Sequence, residues 1–452
     1  MATPRESMDN TDLAAEPAHT MPLLRYIEVK PILLVLLAGL LLRLWLANLI
    51  EGVPADLRLY VTWGTELSHD GPFHFYDTWK DYLPGYLYVL TGIGLLSRLF
   101  SFNESTWWYV IKVSAILADL GSAYMLYLFL APKPERVRLL AAAVYLCLPS
   151  VLVVSAAWGQ SDSFLALPLM ASVYFISKGM PVASSLSFTV AFMMKMLAIA
   201  AFPLLVIWIL RDYKPKVWLQ CAAAGGLLAF AIVWPFFPDH PWDFFDQAYK
   251  STSNYTFAAL FTYNLWGAFG WFRQDSIEVF GVSWHTWGQI FTITGEVLVA
   301  LAFYRARSPG AYALGVAVAM LVSFTFLTRM HERYIFGAFL PLLAACFLYN
   351  RIWLWFSFLV LSVIEFCGIF VGFYVLAEKR EPEWVYHHKL WEWLNNYPDW
   401  WSRHEWPGTP QEFILSMILV AMVILLVGYS HLLSYRFHFK DGFRISRAPV
   451  DP

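Results

Sequence analysis

Ionisable side chains beside apolar runs are the residues of this sequence whose types and positions suit chemistry. Asp56 follows soon after the apolar run 31–50, which places its carboxylate just outside a hydrocarbon boundary. Asp81 and Tyr82 precede another apolar run. A carboxylate in such a place can act as a general base toward a hydroxyl group. Two structural alternatives stay open: Asp56 also fits a solvated loop with an aromatic belt, and Asp81 also fits a helix cap.

Further polar residues interrupt apolar sequence near the middle of the chain. Gln160 and Asp162 lie in "AAWGQSDSFLAL", a tight polar turn in which Asp162 fits either a site residue or a helix N-cap. Lys195 is a lone cation near the middle of the apolar run 182–210. A charge at membrane depth costs about 2.5–3.5 kcal/mol on insertion scales. A buried anionic partner for Lys195 is therefore favoured over snorkelling to the interface.

The densest charge cluster lies in "FLTRMHERYIFGAFLP", where two apolar segments meet. Its members are Arg329, His331, Glu332 and Arg333. The forked donors of arginine fit a phosphate group, and histidine can add another donor. The alternative is an aromatic and basic rim at the membrane interface. Together the two groups of residues predict a divided site, with acids that deprotonate an acceptor hydroxyl and cations that hold a departing phosphate.

No cofactor is expected from the sequence. Asp56, Asp81 and Asp162 could ligate a divalent metal, but no spacing of ligands requires one. The net charge of −2 gives no indication of a nucleic-acid partner. The four cysteines lie in apolar runs without a CxxC pair, which predicts buried thiols rather than a disulfide frame or a metal cluster.

Membrane helices are the elements that must position these side chains. The chain is 59% hydrophobic and 14% charged, whereas soluble domains average about 25% charged residues. Repeated apolar runs of roughly 20 residues predict an all-α, polytopic transmembrane helical bundle with about 11–13 spans. The range reflects two uncertain segments: 84–100 fits an incomplete crossing, and 182–210 fits one long helix or two short helices meeting near Lys195.

Three long segments rich in Trp and Tyr are predicted to be extracytoplasmic loops that carry interfacial helices. Basic residues place the N-terminus and several short connectors in the cytoplasm. The predicted organisation is a disordered cytoplasmic tail at 1–22, a catalytic membrane module at 23–350 with outer loops 51–83 and 237–283, C-terminal helices at 351–436 with a Trp-rich outer loop at 378–410, and a cytoplasmic tail at 437–452.

The motifs resemble, in their order along one chain, those of the GT-C superfamily of polytopic glycosyltransferases that use polyprenyl-phosphate sugars. The chain is most similar to the prokaryotic branch related to GPI mannosyltransferases, and more distantly to endoplasmic-reticulum glucosyltransferases that use dolichyl-phosphate glucose. Leu83 stands where the family has a proline, and Met196 and Leu197 depart from its F-K-P-Q segment. The motifs that carry the resemblance are "ADLRLYVTWGTELSHDGPFHFYD", "DYLPGYLYVL", "WGQSDS", "FMMKMLAI", "YNLWGAFG" and "MHERY".

The resemblance implies a role for each matching residue. Asp56 takes the role of catalytic base, and Lys195, His331 and Arg333 take the donor phosphate. The acceptor or sugar is expected to be oriented by Asp81, Tyr82, Gln160 and Asp162. The residues expected to support these groups are Asp119, Glu332, Asn264 and Trp266.

The sequence and the resemblance together predict an inverting, single-displacement sugar transferase, with mannose as the first choice of sugar and arabinose as another. Its expected partners are a polyprenyl-phosphate sugar, a glycan, lipid or protein acceptor, and the bilayer. The expected location is a prokaryotic plasma membrane rather than the endoplasmic reticulum, with the site on the extracytoplasmic face. The alternative is a transporter or flippase of lipid-linked sugar, which the intramembrane acids Asp119 and Glu365 keep open.

Overall fold

The computed structural model describes residues 30–253, 256–377 and 409–440, and these residues are almost entirely helical. Two loops carry short strand pairs: β1 (Ala259–Leu260) with β4 (Met330–His331), and β2 (Glu278–Val279) with β3 (Val282–Ser283). The helices are α1 (Pro31–Leu49), α2 (Pro54–Asp70), α3 (Pro84–Phe100), α4 (Glu104–Phe129), α5 (Glu135–Leu146), α6 (Pro149–Leu152), α7 (Asp162–Ser177), α8 (Pro181–Met194), α9 (Phe202–Asp212), α10 (Pro215–Val233), α11 (Asp243–Ser253), α12 (Trp284–Phe303), α13 (Pro309–Phe326), α14 (Phe336–Tyr349), α15 (Ile352–Leu376) and α16 (Pro410–Lys440).

The predicted all-α, multi-pass membrane class is confirmed, but the number of long spans is smaller than 11–13. Within the described residues, seven helices are long and apolar enough to cross a membrane, or up to eight if a bent pair counts as one span. The difference arises because several predicted segments form shorter apolar helices, among them α7, α8 and α14. The helices that meet the length criterion are Pro31–Leu49, Glu104–Phe129, Pro215–Phe236, Trp284–Phe303, Pro309–Phe326, Ile352–Leu376 and Pro410–Leu433.

The helices differ in how much of their surface the bundle covers. α13 is apolar on every side, and 83% of its most apolar window is buried inside the protein. A helix that is hydrophobic all round belongs at the centre of a bundle. The corresponding windows of α1 and of Pro215–Phe236 are 22% and 17% buried, so these two helices face outward, as lipid-facing helices do.

The loop predicted over 51–83 begins with a regular helix rather than irregular chain. Pro54 occupies the first turn of α2, where its missing N–H is harmless, and Gly71 ends the helix at φ 79°. α2 packs backbone to backbone on α3, because a Cβ added at Gly94 would lie 2.1 Å from the Gly64 carbonyl oxygen. The two glycines therefore set how closely α2 approaches its neighbour.

The apolar run 182–210 is two helices joined by a break, one of the two alternatives that the sequence left open. α8 ends at Met194, Lys195 adopts an extended conformation (φ −156°, ψ 126°), and a 3₁₀ helix over Met196–Ala201 leads into α9. The break brings Lys195 away from regular helix, so that its side chain can leave the line of the span.

The second outer loop is tied to the connection between α13 and α14. β1 pairs in parallel with β4, with Ala259 opposite Met330 and Leu260 opposite His331. The predicted Trp-rich loop at 378–410 lies outside the described residues except for its last two, as do the predicted tail 1–22 and most of 437–452. The predicted domain boundaries stay predictions.

Candidate active site

Asp56 lies in the first turn of α2, where the helix dipole favours a negative charge. Two side chains from the polar turn before α7 hold its Oδ2 atom: Trp158 Nε1 donates at 2.8 Å and Gln160 Nε2 donates at 2.5 Å. The Asp56 side chain remains partly exposed. A carboxylate with one oxygen fixed by two donors and access to solvent is well placed to accept a proton at its other oxygen.

The polar turn that contacts Asp56 has an unusual backbone. A π-helical turn over Val153–Trp158 ends at Gly159, whose φ of 81° suits glycine. α7 begins directly at Asp162, and Ser161 occupies the N-cap position without a side-chain capping bond. The N-cap alternative for Asp162 is therefore wrong, and its carboxylate is available for other partners.

Asp162 joins two cations from distant parts of the chain. Its side chain is fully buried; Lys195 Nζ donates to Oδ1 at 2.5 Å, and Arg333 Nε lies 3.6 Å from Oδ2. Lys195 has the buried anionic partner that the sequence predicted. The carboxylate of Asp162 thus holds side chains from α7, the α8–α9 break and the 327–335 loop at one point.

Arg333 lies between two carboxylates and against two aromatic faces. Its Nη1 donates to Glu332 Oε1 at 2.5 Å. Its guanidinium carbon lies 5.1 Å from the Trp158 ring centre and 5.9 Å from that of Tyr334, and Lys195 Nζ lies 4.5 Å from the Tyr334 ring. Aromatic faces attract cations without consuming their hydrogen-bond donors, so the charge of both residues is held in place with donors to spare.

His331 contributes a neutral ring rather than a positive charge. Burial lowers the pKa of His331 well below its usual value, and the positive charges of Arg333 and Lys195 lower it further. The imidazole stacks near Tyr334, with ring centres 4.9 Å apart, and its Nδ1 lies 3.9 Å from Glu332 Oε2. The expectation that His331 helps to balance phosphate charge therefore changes: a neutral imidazole can offer a hydrogen bond but no charge.

Tyr82 is linked to the Asp56 side of the site through Tyr60. The two hydroxyl oxygens lie 2.6 Å apart, Tyr60 donates to Gln160 Oε1 at 3.0 Å, and Ser161 Oγ lies 3.3 Å from the Tyr82 hydroxyl. Burial raises the pKa of Tyr82 above its usual value, so the phenol stays protonated. These bonds lock the Gln160 amide so that its nitrogen faces Asp56.

Asp81 lies beside this aromatic group without a direct link to Asp56 among the contacts described here. Burial raises the pKa of Tyr76, and the negative charge of Asp81 raises it further. Asp81 has the same secondary effect on Tyr82 and Tyr334. It is therefore a charge near the site rather than a second carboxylate at Asp56.

Asn264 and Trp266 bind the end of α13 rather than the charged residues themselves. Asn264 Nδ2 donates to the carbonyl oxygens of Phe324 and Leu327 at 3.3 and 3.1 Å, and Trp266 Nε1 donates to Phe326 at 2.7 Å. The last carbonyls of a helix lack partners within the helix. These two side chains supply them just before the 327–335 loop begins.

Asp119 is neutralised inside the bundle. Its Oδ2 lies 3.5 Å from Arg43 Nε, and both side chains are fully buried. The pair connects α4 with α1, and Arg43 Nη1 also contacts the carbonyl of Gly39 at 3.4 Å. Asp119 therefore links two helices in this structure, and the hydroxyl groups of Ser155 and Ser163, on either side of the polar turn, also lie near its carboxylate.

Three residues of the site region were not assigned a role from the sequence. Trp158 belongs to the "WGQSDS" motif and donates to Asp56, and Tyr60, one aromatic residue among many in the sequence, donates to Gln160. Asp275 is almost fully buried and accepts from Arg329 Nε at 2.7 Å, while His285 Nδ1 lies 3.4 Å away. Arg329 was predicted to belong to a phosphate-binding cluster, but it forms an ion pair with Asp275 instead. The sequence "RMHERY" alone does not show which of its two arginines faces the site.

The acids of the site do not form a typical metal centre. In the described ranges no group of three or more His, Cys, Asp or Glu side chains could hold a metal ion. Asp162, one of the three acids considered as a ligand, is engaged by Lys195 instead.

Comparisons with known proteins find only distant similarity. No family model and no curated protein matches the sequence. A crystal structure of ArnT from Cupriavidus metallidurans bound to undecaprenyl phosphate is 14% identical, covers 89% of this chain and 77% of its own, and gives a TM-score of 0.48. The apo structure of the same protein is 15% identical, covers 88% of this chain and 77% of its own, and gives a TM-score of 0.46. A TM-score below 0.5 does not establish a shared fold, so the side-chain contacts are the basis for the function proposed below.

Proposed function

We propose that this protein is an integral membrane glycosyltransferase that moves a sugar from a polyprenyl-phosphate donor to an acceptor hydroxyl with inversion. One observation carries the proposal: a base candidate and two cations converge from separate segments onto one polar turn. Gln160 of that turn holds Asp56, and Asp162, two residues later, holds Lys195 and Arg333. Displacement of a phosphate leaving group needs a base on the nucleophile and positive charge on the departing anion.

Asp56 acts on the acceptor in this mechanism. Its carboxylate removes the proton of the acceptor hydroxyl as the acceptor oxygen forms a bond to the anomeric carbon. The bond between that carbon and the phosphate oxygen breaks at the same time, and its electron pair leaves with the polyprenyl phosphate. Attack from the face opposite the phosphate inverts the configuration.

Arg333 and Lys195 act on the leaving group. Asp162 and Glu332 keep both cations in place, and the aromatic contacts leave guanidinium and ammonium donors for phosphate oxygens. His331, as a neutral ring, adds a hydrogen bond. Gln160 holds Asp56, and Tyr82, linked to Gln160 through Tyr60, is the residue of this network proposed to orient the acceptor or the sugar.

Mannose is the first donor to test, because the motifs resemble the mannosyltransferase branch of the GT-C superfamily. Arabinose linked to decaprenyl phosphate is the second. Neither sugar is distinguished by the contacts described above, so the first assay uses both sugars on lipids of more than one length. The proposed location is a prokaryotic plasma membrane, with Asp56 and the 327–335 loop at the extracytoplasmic face.

The decisive experiment compares two aspartates of one helix. Asp56→Asn should lower the rate of sugar transfer from synthetic polyprenyl-phosphate mannose or arabinose by about 10²–10⁴-fold, because it removes the general base. Asp70→Asn changes an exposed residue at the other end of α2 and should keep the wild-type rate. Wild-type turnover by purified, folded Asp56→Asn would remove Asp56 from this role.

The transporter alternative is tested in the same assay. Its sequence basis was partly Asp119, which the structure pairs with Arg43. A transferase makes product in detergent without a membrane gradient, whereas a transporter makes none. Absence of product with every donor, together with gradient-dependent movement of lipid-linked sugar in vesicles, would favour transport.

A further inference from the structure

A small cavity lies beside Glu332, the residue that pairs with Arg333. It is enclosed by the chain after β1, the 327–335 loop, the end of α13, α15 and α16. The centre of a sphere the size of a water molecule can occupy about 10 Å³ of this cavity. That volume is enough for a single water molecule or ion. Its walls include Thr262, Tyr263, Phe324, Glu332, Glu365 and Gly368.

The polar atoms of this cavity are almost all acceptors, and they are buried. Glu332, Glu365 and Thr262 are 2%, 3% and 1% exposed. Within the residues that the structure describes, Glu332 Oε2, both carboxylate oxygens of Glu365 and Thr262 Oγ1 have no hydrogen-bond partner, although the Ser150 hydroxyl lies near Glu365. Buried polar atoms without partners are costly, so a group that satisfies several oxygens at once would stabilise this region.

The two glutamates of the cavity differ in their partners. Glu332 is paired with Arg333, whereas Glu365 has no ion-pair partner among the described residues. The C-terminal end of α13 also reaches the cavity through Phe324, and the dipole of a helix favours a cation at that end.

We propose that this cavity binds one dehydrated monovalent cation of about the size of Na⁺, with Glu332, Glu365 and Thr262 as oxygen ligands. A single positive charge would give the Glu365 carboxylate the partner that it lacks among the described residues. Mg²⁺ fits less well, because it retains several waters of hydration and the cavity has room for one small body. Hard oxygen ligands are those that such cations prefer.

The cation would also position Arg333. Glu332 receives Arg333 on Oε1 and faces the cavity with Oε2. Its methylene and carboxyl carbons lie against the backbone of α15, where a Cβ added at Gly372 would come within 3.1 Å of them. An ion on Oε2 therefore fixes the carboxylate that orients Arg333. This link to transfer rests on the proposed function, whereas ion binding does not.

The test is thermal unfolding of the full-length protein in detergent at pH 7.5. Ionic strength is held constant with choline chloride while NaCl, LiCl, KCl or MgCl₂ is titrated in. Binding to the native state raises Tm with a saturable dependence on ion concentration. NaCl should raise Tm by ~2–4 °C over choline, by analogy with the shift expected for roughly 1 kcal/mol in a large domain, and MgCl₂ should not.

Two variants locate the site, and one serves as a matched control. Glu365→Gln should abolish the Na⁺-dependent rise, and Thr262→Val should shift it to at least severalfold higher Na⁺. Glu296→Gln replaces a partly buried glutamate, which accepts from Ser323 on α13 and does not line this cavity. It should keep the wild-type response. If Glu365→Gln does not fold, Thr262→Val carries the test alone.

Three results would overturn the proposal: no difference between NaCl and choline, an unchanged Na⁺ response in both cavity variants, or stabilisation by acid alone, which would indicate a proton shared by the glutamates. The transfer assay is a separate readout. A Na⁺-dependent Tm with no transfer activity would reject the proposed function and retain the ion site, and the reverse pattern would reject only the ion site.

Discussion

Arg329 and Arg333 stand one helical turn apart in sequence, yet the structure uses them in opposite ways. Arg329 adopts a left-handed conformation (φ 64°), donates from Nε to Asp275 at 2.7 Å and from Nη1 to the Thr252 carbonyl at 3.0 Å. Arg333 lies between Asp162 and Glu332, and its Nε has no hydrogen-bond partner among the described residues. Arg329 therefore uses its donors on the surrounding fold, whereas Arg333 keeps an N–H donor that no described residue accepts.

Arg329 anchors the 327–335 loop, whereas Arg333, in the same loop, is the arginine that the proposed mechanism uses. Asp275 also approaches Thr328 and His285, so the start of the 327–335 loop is fixed to the second outer loop. The parallel pairing of β1 with β4 extends the same attachment to His331. Arg333 is then presented from a fixed support, with its charge directed toward Asp162.

In the comparison of the arginines, the largest effect should come from Arg333. Arg333→Ala should lower sugar transfer by about 10²–10³-fold, because one donor to the developing phosphate charge is lost. Arg333→Lys should recover part of the rate, since it restores charge without the fork. Arg329→Lys is the matched control and should remain within a few-fold of wild type. Equal losses in Arg329→Lys and Arg333→Ala would remove the distinction between the two arginines.

Asp275→Asn should mainly affect stability. It leaves Arg329 partly buried without its ionic partner, and we expect a loss of roughly 2–3 kcal/mol, somewhat below the range for fully buried pairs because Arg329 retains some exposure. The measurement is chemical or thermal unfolding in detergent. Unchanged stability, or a collapse of kcat at unchanged Tm, would place Asp275 in the chemistry instead.

A third arginine tests whether a fully buried pair behaves like the Arg329 anchor. Arg43→Leu or Asp119→Leu should each destabilise the protein by about 3–5 kcal/mol, because each leaves a buried charge unpaired. The double variant should be much closer to wild type. If the double variant instead equals the sum of the singles, the two charges do not act as a pair.

The smallest effect concerns His331, which lies between the two arginines in sequence. Its pKa is lowered in the folded protein, so the unfolded chain binds the additional proton first as pH falls below about 6.5. Stability is therefore complete above that pH and declines below it, by at most ~1.4 kcal/mol per pH unit. His331→Gln should show less loss between pH 7 and pH 5. An identical pH dependence in the variant would contradict the neutral ring.

The sequence indicated the membrane class and many members of the site, for physical reasons that are visible residue by residue. Lys195 is conspicuous because charges are rare in apolar runs, and the cost of burying it predicts an anionic partner without naming Asp162 as that partner. Short helices such as α7 and α14 were harder, since an apolar run does not state whether it crosses a membrane or ends inside the bundle. This is why the sequence predicts 11–13 spans, whereas seven or eight helices of the described residues meet the length criterion.

Only the tertiary contacts show which of these side chains meet. Nothing in the chain distinguishes Arg329 from Arg333 before Asp275 is known to lie beside the first of them. Trp158 reaches Asp56 from the end of a π-helical turn. Tyr60 lies one helical turn after Asp56 on α2 and donates to Gln160, which the sequence does not show. The N-cap alternative for Asp162 failed for a similar reason: α7 starts one residue earlier than a cap would require.

The three-way meeting at Asp162 has a consequence for biosynthesis. Ribosomes deliver Asp162 first, Lys195 soon afterward, and Arg333 only when most of the chain has been made. Contacts between residues far apart in sequence form late, because a long loop must close before they gain anything. Until then, Lys195 is the one of the two cations that is available to Asp162. The meeting at Asp162 is thus completed only after the 327–335 loop has emerged, and a truncated chain lacking this loop would contain Asp56, Asp162 and Lys195 without Arg333.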